Sequence, residues 1–154
     1  MSEHSIKLPP LWIAAFLVLC AGCGRGNFAP ARGQVLVGGE PAKGAIVTPV
    51  RTPDGENDGT RVSGKVAKDG SFTLHTTDNK TRRTHMGVQP GEYIVLISWS
   101  PELTTARLNA PESVPDLFGG RYSDAKTSPL RVGVTTGVGD LPAIQLPATD
   151  LVPD

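Results

Sequence analysis

Four groups of side chains in this 154-residue chain have types and spacings suited to chemistry. Cys20 and Cys23 are the only thiols, and a thiol can accept an acyl group, ligate a metal or form a disulfide. Asp54, Glu56 and Asp58 place carboxylates at alternate positions beside Gly55 and Gly59, the pattern by which a loop offers oxygens to calcium. The run Lys80-Thr81-Arg82-Arg83-Thr84-His85 concentrates cations, and arginine presents paired donors to a carboxylate, a phosphate or an acidic glycan. Leu117-Phe118-Gly119-Gly120-Arg121-Tyr122 is an apolar and aromatic cluster inside the long connection 101–128. Long connections in small domains often carry function.

The cysteines are decided by what precedes them. Residues Met1 to Lys7 are polar, and the apolar run Leu11 to Leu19 follows Pro9-Pro10. That run has nine residues, whereas crossing a hydrocarbon core takes about 20. It matches the apolar centre of a secretory leader. The next stretch, Leu19-Cys20-Ala21-Gly22-Cys23-Gly24, resembles a lipobox, the sequence read by lipoprotein signal peptidase. Small Ala21 and Gly22 suit entry of an extended chain into the peptidase cleft, and the Cys23 thiol is placed to take the lipid. Cys20 is the poorer acceptor, because bulky Leu19 precedes it. Cys20 also stands where the lipobox usually has Leu, and Glu3 makes the leading segment less basic. The resemblance implies a leader over 1–22, lipid attachment at Cys23 and a tether over 23–32. Nine residues from Gly24 to Arg32 reach at most roughly 30 Å. The implied location is the cell envelope: the outer membrane, a periplasm-facing membrane or the cell surface. More than one acyl chain makes such attachment stable. Both cysteines lie at the cleavage site, so no disulfide is expected in the remaining 132 residues.

Composition limits the rest. Fifteen Lys+Arg balance fifteen Asp+Glu, which argues against nucleic acid, since phosphate binding needs a basic surplus. Glycine and proline make up 32 of 154 residues, a level that in an ordered chain means short elements joined by turns. Aromatics are only 5%, so the core falls to Val, Leu, Ile and Ala.

Apolar alternation predicts seven strands: 34–37, 45–50, 61–67, 71–76, 92–100, 129–135 and 141–146. Lys68-Asp69-Gly70 predicts a tight turn. Pro49 predicts an edge strand or bulge, because proline has no N–H to donate. The segment 92–100 is apolar on both faces, with Tyr93, Val95, Ile97 and Trp99 on one side and Ile94 and Leu96 on the other. This predicts a central strand with a partly covered outer face. The expectation is an all-β, seven-strand antiparallel β-sandwich over 33–147, followed by a C-terminal tail, 148–154.

Some motifs have a familiar order. Gly33-x-Val35-x-Val37 and Pro41-x-x-Gly44-Ala45-x-Val47 open the domain, and Asp69-Gly70-Ser71-Phe72-x-Leu74 and Pro90-Gly91-Glu92-Tyr93-x-Val95-x-Ile97 follow. Tyr122-Ser123-Asp124 and Thr127-Ser128-Pro129-Leu130-x-Val132-x-Val134 close it. Over about 33–147 the chain resembles the carboxypeptidase regulatory-like, transthyretin-like sandwiches of short bacterial lipoproteins. That resemblance implies a prealbumin-like, Ig-like fold, no catalytic residues and no cofactor. Pro49 stands where a large apolar residue is usual.

The function expected is therefore a non-catalytic, lipid-anchored envelope protein that binds an envelope protein or glycan, or serves structurally. The alternatives are a transthyretin-like hydrolase or a carbohydrate-binding module. The hydrolase is disfavoured by the C-terminal Leu151-Val152-Pro153-Asp154, where hydroxyisourate hydrolases carry Tyr-Arg-Gly-Ser. There is no Gly-x-Ser-x-Gly elbow, and Ser63 and Ser128 have no evident His and Asp order. Calcium is disfavoured by Lys65 at the twelfth loop position, where the ion needs a bidentate Glu. Zinc needs three or four ligands, and His75 and His85 are the only histidines after the leader, so no metal is expected. A Lys43–Glu92 isopeptide arrangement has no placed Asn. Phe118, Arg121, Tyr122, Arg82 and Arg83 are the candidates to meet a partner. The favoured readings are that Phe118 and Tyr122 pack over the sandwich, on Ile94 and Leu96, and that 80–85 is a charged, water-facing loop.

Overall fold

The computed structural model describes residues 28–52, 59–100, 115–137 and 139–152. Cys23 and the 54–58 carboxylates lie outside them.

The expected alternation appears as strands. In order they are β1 Arg32–Val37, β2 Glu40–Pro41, β3 Ile46–Arg51, β4 Thr60–Lys65 and β5 Ser71–Thr73. Then come β6 His75–Asp78, β7 Thr84–Met86, β8 Gly91–Ser98, β9 Arg131–Val134 and β10 Ile144–Leu146. They form two sheets. The larger has six antiparallel strands in the order β7-β6-β4-β3-β8-β9. The smaller is centred on β1, which pairs with β10, β2 and β5. Side chains alternate across a strand, so Val35 and Val37 of β1, Val47 of β3, and Tyr93, Val95 and Ile97 of β8 all face one buried core.

The widest pairing joins β3 to β8, six residues in register from Ile46↔Ser98 to Arg51↔Tyr93. The inferred central strand at 92–100 is therefore central, and Ile94 and Leu96 on its outer face are half-buried.

Four expectations change. First, Pro49 is not on an edge: β3 lies between β4 and β8, and Pro49 pairs with Val95. Val95 sends its N–H away from β3, to Leu130, so Pro49↔Val95 is a pair without mutual hydrogen bonds. The β3–β4 register ends at Val47↔Gly64, and the absent proline N–H falls beyond it. Second, the sheets are not wholly antiparallel, because β10 runs parallel to β1. Third, the strand expected at 71–76 divides at Leu74: β5 pairs with β1 in the small sheet, while β6 pairs with β4 in the large one. Leu74 N–H donates to the Ala31 carbonyl, and the Leu74 carbonyl accepts from Gly87. Fourth, the domain is longer at both ends. Ala29 and Ala31, placed in the tether by sequence, are buried. Leu151, placed in the tail, packs against the core.

The division at Leu74 brings backbones very close. A Cβ on Gly64 would stand 2.6 Å from the Thr73 carbonyl oxygen, a backbone atom that cannot swing away. Gly64→Ala is expected to cost about 1–3 kcal/mol through overpacking, read as a lower urea midpoint. An unchanged midpoint would mean that the strand does not cross the β4 backbone so tightly.

Candidate functional site

The described part of the long connection 101–128, residues 115–128, is built around one carboxylate; residues 101–114 lie outside the described residues. Asp116 Oδ1 accepts from the N–H of Trp99 at 2.8 Å and of Phe118 at 3.3 Å, and Oδ2 accepts from Gly120 at 3.1 Å. The Leu117 N–H donates to the Trp99 carbonyl at 2.6 Å. These bonds fold the chain back onto the end of β8 and turn its aromatic side chains inward. Phe118 and Tyr122 are buried, with their rings edge-to-face at 5.2 Å. Phe118 also meets Trp99 at 5.8 Å.

Phe118 and Tyr122 belong to the core cluster with Tyr93, Val95 and Ile97, and the partly buried Trp99 packs against it. Phe118 and Tyr122 thus pack onto the domain as expected, but on the inner face of β8 rather than over Ile94 and Leu96. Arg121 is exposed but is paired with Asp150. The Tyr122 hydroxyl donates to the other Asp150 oxygen. Burial, and then the neighbouring Asp150 carboxylate, push the Tyr122 phenol up to about 12. This contact ties the 115–128 segment to the short 3-10 turn Ala148–Asp150.

The other sequence-derived candidates are separated from this segment. Arg82 and Arg83 sit at the β6–β7 turn, both exposed, so the stretch expected as a charged loop is a hairpin. Its Asp78 carboxylate is held below the usual range by the backbone N–H groups of Thr81 and Lys80. Ser128 is buried and donates to the Val95 carbonyl at 2.7 Å, which is a structural use of its hydroxyl. Ser63 and His75 are cross-strand neighbours. Lys43 and Glu92 stand at opposite ends of β8: the Lys43 carbonyl accepts from the Trp99 indole, and Glu92 is near its start. Among the described residues, no group of three or more His, Cys, Asp or Glu converges on a metal position.

A different feature offers space. Between the sheets, where β9 and the segment leading into β10 approach, lies a cleft of about 210 Å³. Val47, Leu74 and Val95 form part of its floor, and Val132, Leu141 and Ile144 part of its rim. Its walls come from strands far apart in the chain, and its apolar residues read in sequence as ordinary core. An apolar lining with few polar groups suits an apolar group rather than a charged one.

Two outcomes follow. Tyr122 holds its proton more tightly folded than unfolded, so its stabilising contribution is complete below about pH 10 and is lost as the pH rises through about 12. Spectrophotometric titration of the native chain should show Tyr122 titrating late, and Asp150→Asn should bring it down. The cleft should bind a polarity-sensitive apolar dye, and Ala143→Trp at its lining should abolish the signal with the urea midpoint retained. Binding unaffected by that substitution would exclude the cleft as the dye site.

Searches against family models, curated proteins and solved structures find no match to this chain.

Proposed function

We propose that this chain is a non-catalytic, lipid-anchored protein of the cell envelope whose two-sheet domain is a binding or structural module. The observation that carries the reading is the succession of an apolar run, Leu11 to Leu19, and then Ala21-Gly22-Cys23. The domain is read as a β-sandwich of the carboxypeptidase regulatory-like, transthyretin-like kind. Two sheets around one core support this. So does the buried Tyr93, whose hydroxyl donates to the Gln89 carbonyl at 2.6 Å in the manner of a tyrosine corner.

The polar groups best suited to chemistry have structural work. Asp116 organises a turn, Tyr122 and Arg121 meet Asp150, and Ser128 bonds the Val95 carbonyl. Binding is assigned to the inter-sheet cleft, whose lining favours an apolar portion of a ligand or partner.

Intact mass of the protein from the membrane fraction tests the anchor. The expected species is a 132-residue chain beginning at an acylated Cys23, replaced by the uncleaved precursor when lipoprotein signal peptidase is inhibited or when Cys23→Ser is introduced. A soluble, unacylated product would overturn the anchored reading.

A further inference from the structure

The chain enters the domain against one edge of the large sheet. Phe28 stacks on the His85 ring, with centroids 4.9 Å apart and planes 7° from parallel. The next residue, Ala29, exchanges backbone hydrogen bonds of 2.8 and 2.9 Å with Val88. His85 belongs to the edge strand β7, all three of whose residues are exposed, and Met86 is 68% exposed.

The turn leading into β7 carries Lys80, Arg82 and Arg83, all exposed. Arg61 of β4, paired with Thr77, is exposed on the adjoining face. The side chains of these four cations make no ion pair or hydrogen bond among the described residues. The carboxylate in the turn, Asp78, is engaged by backbone N–H groups at 2.7 and 2.9 Å. Arg82 has φ 57°, a left-handed conformation in which a side chain is strained and glycine is the easier choice. The turn thus carries an arginine at a position where its backbone geometry favours glycine.

We propose that the β6–β7 hairpin is a second membrane contact. Met86 meets the interface, and Lys80, Arg82, Arg83 and Arg61 pair with the phosphates of anionic lipid headgroups. The inference rests on the proposed acylation of Cys23. Phe28 lies five residues after Cys23, and a chain of that length reaches at most about 18 Å. The β7 edge is therefore the part of the domain that the anchor holds nearest the lipid. Juxtamembrane cations are attracted to an anionic surface, and the attraction falls away within a Debye length. A hairpin held this close lies in the range where its charges act.

The test uses the acylated chain purified from membranes, with Met86→Cys carrying a polarity-sensitive dye. It is reconstituted in phosphatidylcholine vesicles with or without phosphatidylglycerol. The expected result is a blue shift that requires phosphatidylglycerol, weakens at high salt and is lost on combined Lys80→Glu, Arg82→Glu and Arg83→Glu. Arg82→Gly, which removes a charge while relaxing the turn, should reduce the shift with the fold intact. The same emission in both vesicles, a shift indifferent to these substitutions, or an equal shift with inorganic phosphate and no vesicles would overturn the proposal. If intact mass finds Cys23 unacylated, the anchor reading fails separately. Co-sedimentation of the unlabelled chain with phosphatidylglycerol vesicles then decides the hairpin: binding lost on charge reversal supports it, and no binding overturns it.

Discussion

The close passage of Thr73 and Leu74 over Gly64 is the constraint on which the two-sheet arrangement turns. One continuous run of chain serves as β5 in the small sheet and β6 in the large one, and Leu74 bonds in both directions at the change. The backbones approach so nearly that position 64 has no room for a Cβ. Strands that switch sheets commonly form the corners of such packings. Because β4 and β1 are both fixed by this crossing, Val35, Val62, Phe72 and Leu74 are brought into one core. A core poor in aromatics gains from such a fixed register, since small branched side chains fill space only when facing strands are held closely.

Polar side chains do comparable work at the other end of the sandwich. The return from β8 to β9 could not bury Phe118 and Tyr122 with its backbone amides left unpaired, because an unsatisfied buried donor costs about 1–3 kcal/mol. Asp116 accepts three of those donors, and Asp150 takes the phenol of Tyr122. The aromatic cluster that stands out in the sequence is consequently part of the core, and what that segment leaves exposed is mostly small and polar. An apolar recess lies instead in the cleft near β9 and β10.

The opposite edge has a different character. At β7 the large sheet ends in three exposed residues beside a cationic turn, a device that also discourages pairing with another chain. The two sheet margins thus divide the surface: an apolar recess on one side, and a basic edge on the other where the chain enters.

Most strands were legible in sequence, because period-two alternation at 34–37, 45–50 and 92–98 records directly which face is buried. The Asp69-Gly70 turn was legible for the same local reason: Gly70 takes φ 84°, and Asp69 holds the Ser71 N–H and hydroxyl. The leader-like start and Cys23 are likewise properties of the sequence alone. What it could not reveal were relations between distant segments. β7 is short and has a single apolar residue, Met86, so it carries no alternating signal, and its strand character comes from pairing with β6. Pro49 reads as an edge marker until the ends of the β3–β4 ladder are known. The sequence by itself determined which residues are apolar, where the chain turns and where a lipid is expected. Only the tertiary structure decided which sheet each strand joins, that Phe118 and Tyr122 point inward, and that a cleft opens between the sheets. Those outcomes depend on contacts between residues far apart in the chain, which local alternation does not encode.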